Sequence, residues 1–128
     1  MCQALGIPPT AKYQNEGGPS PEQIIALLRR EIPSAQAAAV DVARFVDALA
    51  FNWIIAGTDA HAKNFSLLHE ARGVRIASLY DLVSTAVYPD LSNRMAMKIG
   101  SQYEFENVFP RISLSTVPSA WPSCLLPR

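Results

Sequence analysis

The sequence has few cysteines, no excess of charge of either sign and no long apolar run. Cys2 and Cys124 are its only cysteines, and their separation fits neither a metal-binding nor a redox motif, so two reduced thiols are expected. Basic residues number 11 and acidic residues also 11, with no basic stripe and no charged tail. This balance argues against direct nucleic-acid binding.

The apolar runs are too short for a membrane span. The longest are Ala48 to Phe51 and Trp53 to Ala56, far below the length that crosses a bilayer. The N-terminus has no basic segment followed by an apolar one, so no signal peptide is predicted. With 128 residues, 49% of them hydrophobic, the chain suffices for one packed domain. We therefore expect a cytoplasmic protein with no membrane partner.

Two helices are predicted in the first half of the chain. The first begins at Ser20, a good N-cap that forms a capping box with Gln23, and Pro33 ends it. The second runs from about Ser34 to Ala56, with Gly57 as its stop. The buried faces are predicted to comprise Ile24, Ile25, Leu27, Leu28 and Ile32 in the first helix, and Val42, Phe45, Val46, Leu49, Trp53 and Ile54 in the second.

Two short strands are expected next, Phe65 to His69 and Val74 to Tyr80, joined as a hairpin. A hairpin returns the chain to its starting point, so Asp81 is expected beside Asn64. Met95 to Ile99 is expected to form either a further strand or an extended cover. The predicted fold class is therefore α+β, mostly helical.

The segment from Gly57 to Ser66, GTDAHAKNFS, carries most of the chemistry. Asn64 follows Asp59 by five residues, and Asp81 follows it by 22, within Tyr80-Asp81-Leu82. Phosphoryl transfer requires a carboxylate that orients the attacking hydroxyl, and an amide and a second carboxylate that hold magnesium against the nucleotide. The step of five matches the D-x-x-x-x-N spacing of kinase catalytic loops, a weak signal by itself.

Several motifs in one order resemble the C-terminal domain of HipA-type serine/threonine kinases, the toxin halves of bacterial toxin–antitoxin pairs. The resemblance runs from about Met1 to about Pro110, and the combination of motifs makes it specific. Besides the Asp59 loop and Tyr80-Asp81, the motifs are Cys2-Gln3-Ala4-Leu5-Gly6, Lys12-Tyr13, Gly17-Gly18-Pro19 and Met95-Ala96-Met97-Lys98-Ile99-Gly100.

The resemblance implies a kinase-like C-lobe whose small β-hairpin carries the metal-site residues. It implies that Asp59 is the general base or hydroxyl-orienting group, and that Asn64 and Asp81 bind Mg²⁺ and through it ATP. Each of these residues also has a purely structural alternative, as a turn residue or a helix cap. The correct spacing of all three favours the functional interpretation.

Two other loop residues have open roles. His61 is interpreted as a scaffold residue whose ring bonds a backbone carbonyl; a metal-ligand role is less favoured because Mg²⁺ prefers oxygen. Lys63 is either a solvated surface lysine or, as we favour, a catalytic group that neutralises the transferring phosphoryl. The hydroxyls of Ser66, Ser84 and Thr85 are expected to form local hydrogen bonds to backbone.

The resemblance also implies partners. Family members phosphorylate proteins, with aminoacyl-tRNA synthetases as a target class, and are restrained by a helix-turn-helix antitoxin of the HipB type. The chain departs from the family because no phosphate-covering loop and no phosphate-pairing lysine precede Asp59. We therefore expect the chain to be a fragment that by itself binds ATP weakly or not at all.

Two alternatives to an active kinase remain open: a docking module that binds an antitoxin or a separate small lobe, and a decayed gene fragment. The domain prediction is a catalytic-lobe fragment over residues 1–110 and a divergent tail over 111–128. The tail is rich in serine and proline and has no helical or strand period, so little order is expected. A frame change and a natural linker explain it equally well.

Overall fold

A computed structural model describes residues 1–71, 73–88 and 90–108. Within these ranges the chain forms two α-helices, four β-strands and short 3-10 turns, which confirms the predicted α+β, mostly helical class. The helices are α1 (Pro21–Glu31) and α2 (Ala35–Ile54); the strands are β1 (Leu67–Glu70), β2 (Gly73–Ile76), β3 (Arg94–Ile99) and β4 (Gln102–Glu104). The tail predicted over 111–128 lies outside the described residues.

Helix α1 begins with the predicted capping box. The Gln23 amide donates to Ser20 Oγ at 3.3 Å, and the Ser20 amide donates to Gln23 Oε1 at 2.9 Å. These bonds satisfy two amides that the first turn of a helix leaves unpaired. All five residues of the predicted apolar face of α1, Ile24, Ile25, Leu27, Leu28 and Ile32, are buried.

Helix α2 begins after Ser34, whose Oγ accepts from the Ala37 amide at 3.3 Å. Its predicted buried face is confirmed for Val42 and Phe45, and Val46 and Leu49 pack partly buried against the core. The prediction for Ile54 was wrong: this last residue of the helix is 73% exposed. The helical period continues only while α2 lies against the core, and at its end the apolar side chain faces solvent.

The end of α2 differs from the predicted glycine stop. Ala56, not Gly57, adopts the left-handed conformation, with φ of 53°. The Ala56 amide donates to the Trp53 carbonyl at 3.1 Å and the Gly57 amide to the Asn52 carbonyl at 2.7 Å, the two bonds of a Schellman motif. Gly57 is needed for close approach, because a Cβ there would lie 2.7 Å from Asn52 Oδ1 and 3.0 Å from the Val83 carbonyl oxygen.

Replacing Ala56 by glycine should raise the free energy of unfolding by about 0.5–1 kcal/mol, because glycine carries no Cβ penalty in the left-handed region. Urea denaturation measures the change. Ala50→Gly is the matched control, the same substitution inside α2, and should lower stability by about 1 kcal/mol. Equal losses in the two variants would contradict a left-handed residue at position 56.

The strands form two separate antiparallel hairpins. In the first, β1 pairs with β2, with Leu67 opposite Ile76 and Glu70 opposite Gly73. In the second, β3 pairs with β4, so Met95 to Ile99 forms a strand rather than an extended cover. Strands β1 and β2 are shorter than predicted, since β1 begins at Leu67 and β2 ends at Ile76, although the Ala77 amide still donates to the Ser66 carbonyl at 2.9 Å.

The hydrophobic core lies between α1, α2 and the hairpins. It is built from the α1 face, the inner side of α2, Ile76 of β2 and Met97 of β3. Two residues of the loop after α2, Ala62 and Phe65, also belong to it and are almost fully buried. The core therefore holds both the helix that leads into this loop and the loop itself.

Candidate functional site

The Asp59 loop folds as a compact turn held by its own backbone. The His61 amide donates to the Asp59 carbonyl at 2.8 Å, and the Asn64 amide donates to the His61 carbonyl at 3.0 Å. Residues Ala62–Asn64 form a 3-10 turn. Phe65 then anchors the loop by packing edge-to-face on Phe45 of α2, with the ring centroids 4.9 Å apart.

Asp81 lies directly against Asn64. The Asn64 Nδ2 donates to Asp81 Oδ2 at 2.7 Å, so the hairpin brings the two residues together as expected. Asp81 has a positive φ of 59°, which aspartate tolerates better than most side chains. Neither residue lies on a strand, since Asn64 precedes β1 and Asp81 follows β2. The expectation that the hairpin itself carries the metal-site residues is corrected accordingly.

Asp59 is held by residues from a distant part of the chain. The Tyr13 hydroxyl donates to Asp59 Oδ1 at 2.6 Å, and Lys12 Nζ lies 3.7 Å from the same oxygen. Asp59 Oδ2 lies 3.9 Å from His61 Nε2, beyond hydrogen-bonding distance. Burial and then the hydrogen bond to Asp59 raise the pKa of Tyr13, and the opposing effect of Lys12 is smaller, so the phenol stays protonated near neutral pH.

One cavity of about 430 Å³ brings the three predicted groups together. Asp59, Asn64 and Asp81 all line it, although they lie on separate segments of the chain. Lys63 is exposed and is not among the lining residues. The remaining lining residues are Tyr13, Thr58, Ala60, Val83, Thr85, Leu91, Ser92 and Arg94.

Thr58 and Thr85 join the two segments that flank the cavity. Their hydroxyl oxygens lie 2.8 Å apart, and the Thr58 amide donates to Thr85 Oγ1 at 3.2 Å. Thr85 Oγ1 donates to the Ala56 carbonyl at 2.6 Å, so its hydroxyl bonds backbone 29 residues away rather than the local backbone that was expected. The Ala96 amide donates to the Thr58 carbonyl at 2.9 Å, so β3 is attached to the same loop.

His61 is a buried part of the loop. Burial lowers its pKa, an effect that the nearby Asp59 carboxylate only partly offsets, so the ring is neutral near pH 7. Its ring packs edge-on against Tyr13, with centroids 5.7 Å apart. Within the described residues Nδ1 has no hydrogen-bond partner, so this ring atom does not make the expected bond to a backbone carbonyl. The scaffold role stays a prediction, supported here by packing.

A family comparison identifies the domain to which this geometry belongs. Residues 1–121 match the family model described as the HipA-like C-terminal domain. The chain belongs to this family. The match extends past Pro110, while the predicted boundary between a lobe fragment and a tail remains untested.

Curated relatives of the HipA-like family share this region. A protein of Sinorhizobium fredii named "Putative kinase Y4mE" is 51% identical over 102 residues, which are 80% of this chain and 24% of that protein. The "Serine/threonine-protein kinase toxin HipA" of Shewanella oneidensis is 26% identical over 118 residues, 84% of this chain and 27% of that protein. The chain thus spans about a quarter of the length of these relatives.

A solved structure shows the same HipA-like fold. It is the complex of HipA, HipB and operator DNA from Shewanella oneidensis MR-1, one chain of which superposes with a TM-score of 0.71 at 25% identity. The superposition covers 87% of this chain and 28% of that one. The fold is therefore that of the C-terminal region of HipA, as the motifs predicted.

The candidate site includes residues that the sequence interpretation missed. Tyr13 and Arg94 line the cavity, and Lys12 approaches Asp59. The sequence contains a signal for Lys12 and Tyr13, because Lys12-Tyr13 is one of the family motifs. Arg94 immediately precedes the Met95–Gly100 motif, but no local pattern places it at the cavity.

The oxygen donors of this site fit magnesium. Mg²⁺ in phosphoryl-transfer sites is usually bound by one or two carboxylates together with substrate phosphates. Asp81 supplies a carboxylate, and Asn64, whose side chain is hydrogen-bonded to that carboxylate, supplies an amide oxygen. In residues 1–71, 73–88 and 90–108, no group of three His, Cys, Asp or Glu side chains is placed to hold a metal unaided. The donor set therefore fits a cation shared with a nucleotide better than a permanent metal centre.

Tyr80 fixes the segment that carries Asp81. Its hydroxyl donates to the Lys63 carbonyl at 2.7 Å and lies 2.9 Å from Ser66 Oγ. These contacts tie the residue before Asp81 to the residues on both sides of Asn64.

No helix in the described part of the chain combines the length and apolar character that crossing a bilayer requires.

Proposed function

We propose that the chain supplies the catalytic lobe of a HipA-like serine/threonine protein kinase, the toxin of a toxin–antitoxin pair. The reaction is transfer of a phosphoryl group from Mg·ATP to a protein hydroxyl. The observation that carries the proposal is the convergence of Asp59, Asn64 and Asp81 on one cavity, with the last two in contact at 2.7 Å. These are the groups that a kinase catalytic loop and its metal-binding acid supply.

In this proposal each acidic group has a separate task. Asp59 is half-exposed, with 53% of its side chain accessible, so an incoming hydroxyl can reach it, and the carboxylate orients that hydroxyl and accepts its proton. Asn64 and Asp81 would hold Mg²⁺, which when bound neutralises charge on the phosphates. The Asn64 amide now presents Nδ2 to Asp81, so sharing a cation requires its oxygen to turn toward the carboxylate.

Two cations are candidates for stabilising the phosphoryl group. Lys63 was the predicted one, and it remains a proposal because its side chain is exposed outside the cavity lining. Arg94 lines the cavity and so is the better placed of the two. A guanidinium matches phosphate oxygens with a planar pair of donors, which strengthens that assignment.

The proposed partners follow from the family. The superposed HipA lies in a complex with HipB and operator DNA, which supports a HipB-like helix-turn-helix antitoxin as the protein partner here. The proposed substrate is a protein, with aminoacyl-tRNA synthetases as the target class, in the cytoplasm. We propose no direct contact of this chain with nucleic acid, because its charge is balanced at 11 basic and 11 acidic residues.

Mg·ATP binding tests the proposed site, and Asp81→Asn is the informative variant. We expect the chain to bind weakly, with a Kd on the order of 1 mM, and the variant to bind at least about tenfold more weakly. The substitution removes the charge that faces the cation, while asparagine still tolerates a positive φ, so the fold is retained. Amide shifts followed by NMR at millimolar Mg·ATP measure binding of this strength.

The matched control is Asp47→Asn, the same change of charge on the exposed side of α2. It should leave the titration unchanged, and the shifts in the wild-type chain should concentrate at residues 58–64 and 81–85. The proposed metal–nucleotide site would be contradicted by equal affinity of the wild-type chain and Asp81→Asn, or by amide shift changes elsewhere on the surface.

A second candidate function is docking without chemistry. Apolar side chains at the cavity rim are exposed, 57% for Val83 and 51% for Leu91, and the nearby Val87 and Tyr88 are exposed as well. Contiguous exposed apolar surface is typical of interaction sites. If a folded sample shows no Mg·ATP binding up to tens of millimolar, this candidate becomes the preferred one.

A further inference from the structure

The loop that contains Tyr13 is built around a glycine. The Gly18 amide donates to the Tyr13 carbonyl at 2.8 Å. A Cβ at Gly18 would lie 2.6 Å from the Tyr13 carbonyl oxygen and 2.8 Å from the Ala11 carbonyl oxygen. Both are backbone atoms, so the loop cannot adjust by moving a flexible side chain. The Gly17-Gly18-Pro19 motif therefore has a structural purpose here, which is to let the chain close tightly on Tyr13.

A second anchor fixes the same loop to the sheet. The Lys98 amide of β3 donates to Gln14 Oε1 at 2.8 Å. Gly17, with φ of 93°, ends the 3-10 turn that follows Tyr13. Gly18 thus holds the carbonyl of Tyr13, and β3 holds the side chain of the next residue, Gln14, so the loop fixes the backbone from which the Tyr13 side chain extends.

The contacts of this loop make the two carboxylate oxygens of Asp59 different. Tyr13 and Lys12 both approach Oδ1, at 2.6 and 3.7 Å, whereas Oδ2 has His61 at 3.9 Å. Lys12 Nζ also lies 4.6 Å from the centre of the Tyr13 ring, so the lysine and the phenol support one another. One carboxylate oxygen is therefore engaged, and the other remains available to a ligand.

We propose that Tyr13 is a positioning residue for Asp59, whose hydroxyl holds Oδ1 so that Oδ2 is presented to the acceptor hydroxyl. The inference rests on the proposed kinase function, in which Asp59 orients the acceptor hydroxyl. A half-exposed aspartate samples several rotamers when nothing holds it. Fixing it before the acceptor arrives removes an ordering cost from the reaction.

The first test titrates the tyrosines in the full chain labelled with ¹³C at the ring Cζ. Burial and the hydrogen bond to Asp59 raise the pKa of Tyr13. Asp59→Asn should lower the pKa of Tyr13 toward about 10, because the carboxylate no longer opposes a second negative charge. Asp47→Asn, the same change of charge on the exposed side of α2, is the matched control and should leave the Tyr13 titration unchanged. An unchanged Tyr13 titration in Asp59→Asn overturns the proposal.

The second test examines Asp59 itself in Tyr13→Phe, which removes only the hydroxyl. Three-bond couplings should report one χ1 rotamer for Asp59 in the wild-type chain and averaging over at least two rotamers in the variant. Tyr103→Phe is the matched control, the same loss of a hydroxyl outside the Asp59 loop, and should keep the single rotamer. A single Asp59 rotamer in Tyr13→Phe would show that the phenol does not position it.

Mg·ATP titration separates this proposal from the proposed function. Tyr13→Phe should change the Kd by less than about twofold, because Asn64 and Asp81 are untouched. A loss of Mg·ATP affinity as large as that in Asp81→Asn would assign Tyr13 to the metal site and overturn the positioning role. If the wild-type chain binds no Mg·ATP, the kinase proposal fails, while the rotamer measurement still decides whether Tyr13 holds Asp59.

Discussion

Replacing Arg75 by alanine is expected to lower the free energy of unfolding at pH 7, because the substitution removes the main partner of a buried carboxylate. Arg75 donates to both carboxylate oxygens of Asp41, at 2.8 Å from Nε and 2.7 Å from Nη2. Asp41 is fully buried in α2, and its remaining partners are the Ile76 amide at 2.8 Å and Arg44 at 3.5 Å. Without Arg75 a buried negative charge loses its main compensation.

Chemical denaturation of the purified chain measures this loss. Arg29→Ala, which removes an exposed arginine from α1, should change stability by less than about 0.5 kcal/mol. Arg75→Lys should fall between the two, because lysine keeps the charge but not the planar pair of donors. A loss in Arg75→Ala no larger than in Arg29→Ala would contradict a stabilising pair.

The pH dependence of the stability provides an independent test of the Arg75–Asp41 pair. The hydrogen bonds from Arg75 hold the pKa of Asp41 below its ordinary value, although burial opposes them. The stability contributed by the pair is therefore fully present above the unfolded pKa, near 4, and is lost as pH falls through the lower folded pKa. The difference between the wild-type chain and Arg75→Ala should consequently shrink in acid.

Replacing Phe45 by alanine is expected to lower the free energy of unfolding by about 3–5 kcal/mol, the range for truncating a buried phenylalanine. Phe45 is fully buried in α2 and Phe65 is 2% exposed. Their edge-to-face contact connects α2 to the residue immediately after Asn64. The variant therefore creates a cavity beneath the Asp59 loop as well as in the core.

The local effect distinguishes Phe45 from an ordinary core residue. Hydrogen exchange should lose protection at the His61 and Asn64 amides, which close the turn of the loop, more than at amides in α1. Phe51→Ala is the matched control, since Phe51 is on the same helix but 46% exposed, and should cost less than about 1 kcal/mol. Uniform loss of protection in Phe45→Ala would argue against a specific anchor for the loop.

Local sequence signals predicted the helices well. Ser20 with Gln23 and Ser34 each marked a helix start, because a cap involves residues only two or three positions apart. The end of α2 was predicted less well, since Ala56 took the left-handed position that a glycine usually takes. Here the Schellman hydrogen bonds and the close approach of Val83 to Gly57 decided the geometry, and both depend on the surrounding fold.

The candidate site was predicted in composition but not in its contacts. The spacing of Asp59, Asn64 and Asp81, with the motif order, predicted both the HipA-like family and the convergence of these residues. It did not predict which cationic residue lines the cavity: Arg94 does and Lys63 does not. Which residues come to line a cavity depends on tertiary packing that no periodic pattern in the sequence records.

The sequence by itself determined the helix starts, the fold class and the three groups around the cavity, because these follow from short-range caps, periodicity and a motif of fixed spacing. Only the tertiary structure decided the partners of the buried and reactive carboxylates. Tyr13 reaches Asp59 across 46 residues, and Arg75 reaches Asp41 across 34. Such pairs form when helices and hairpins pack together, and a polar residue alone in a sequence does not reveal which distant partner the packing will bring to it.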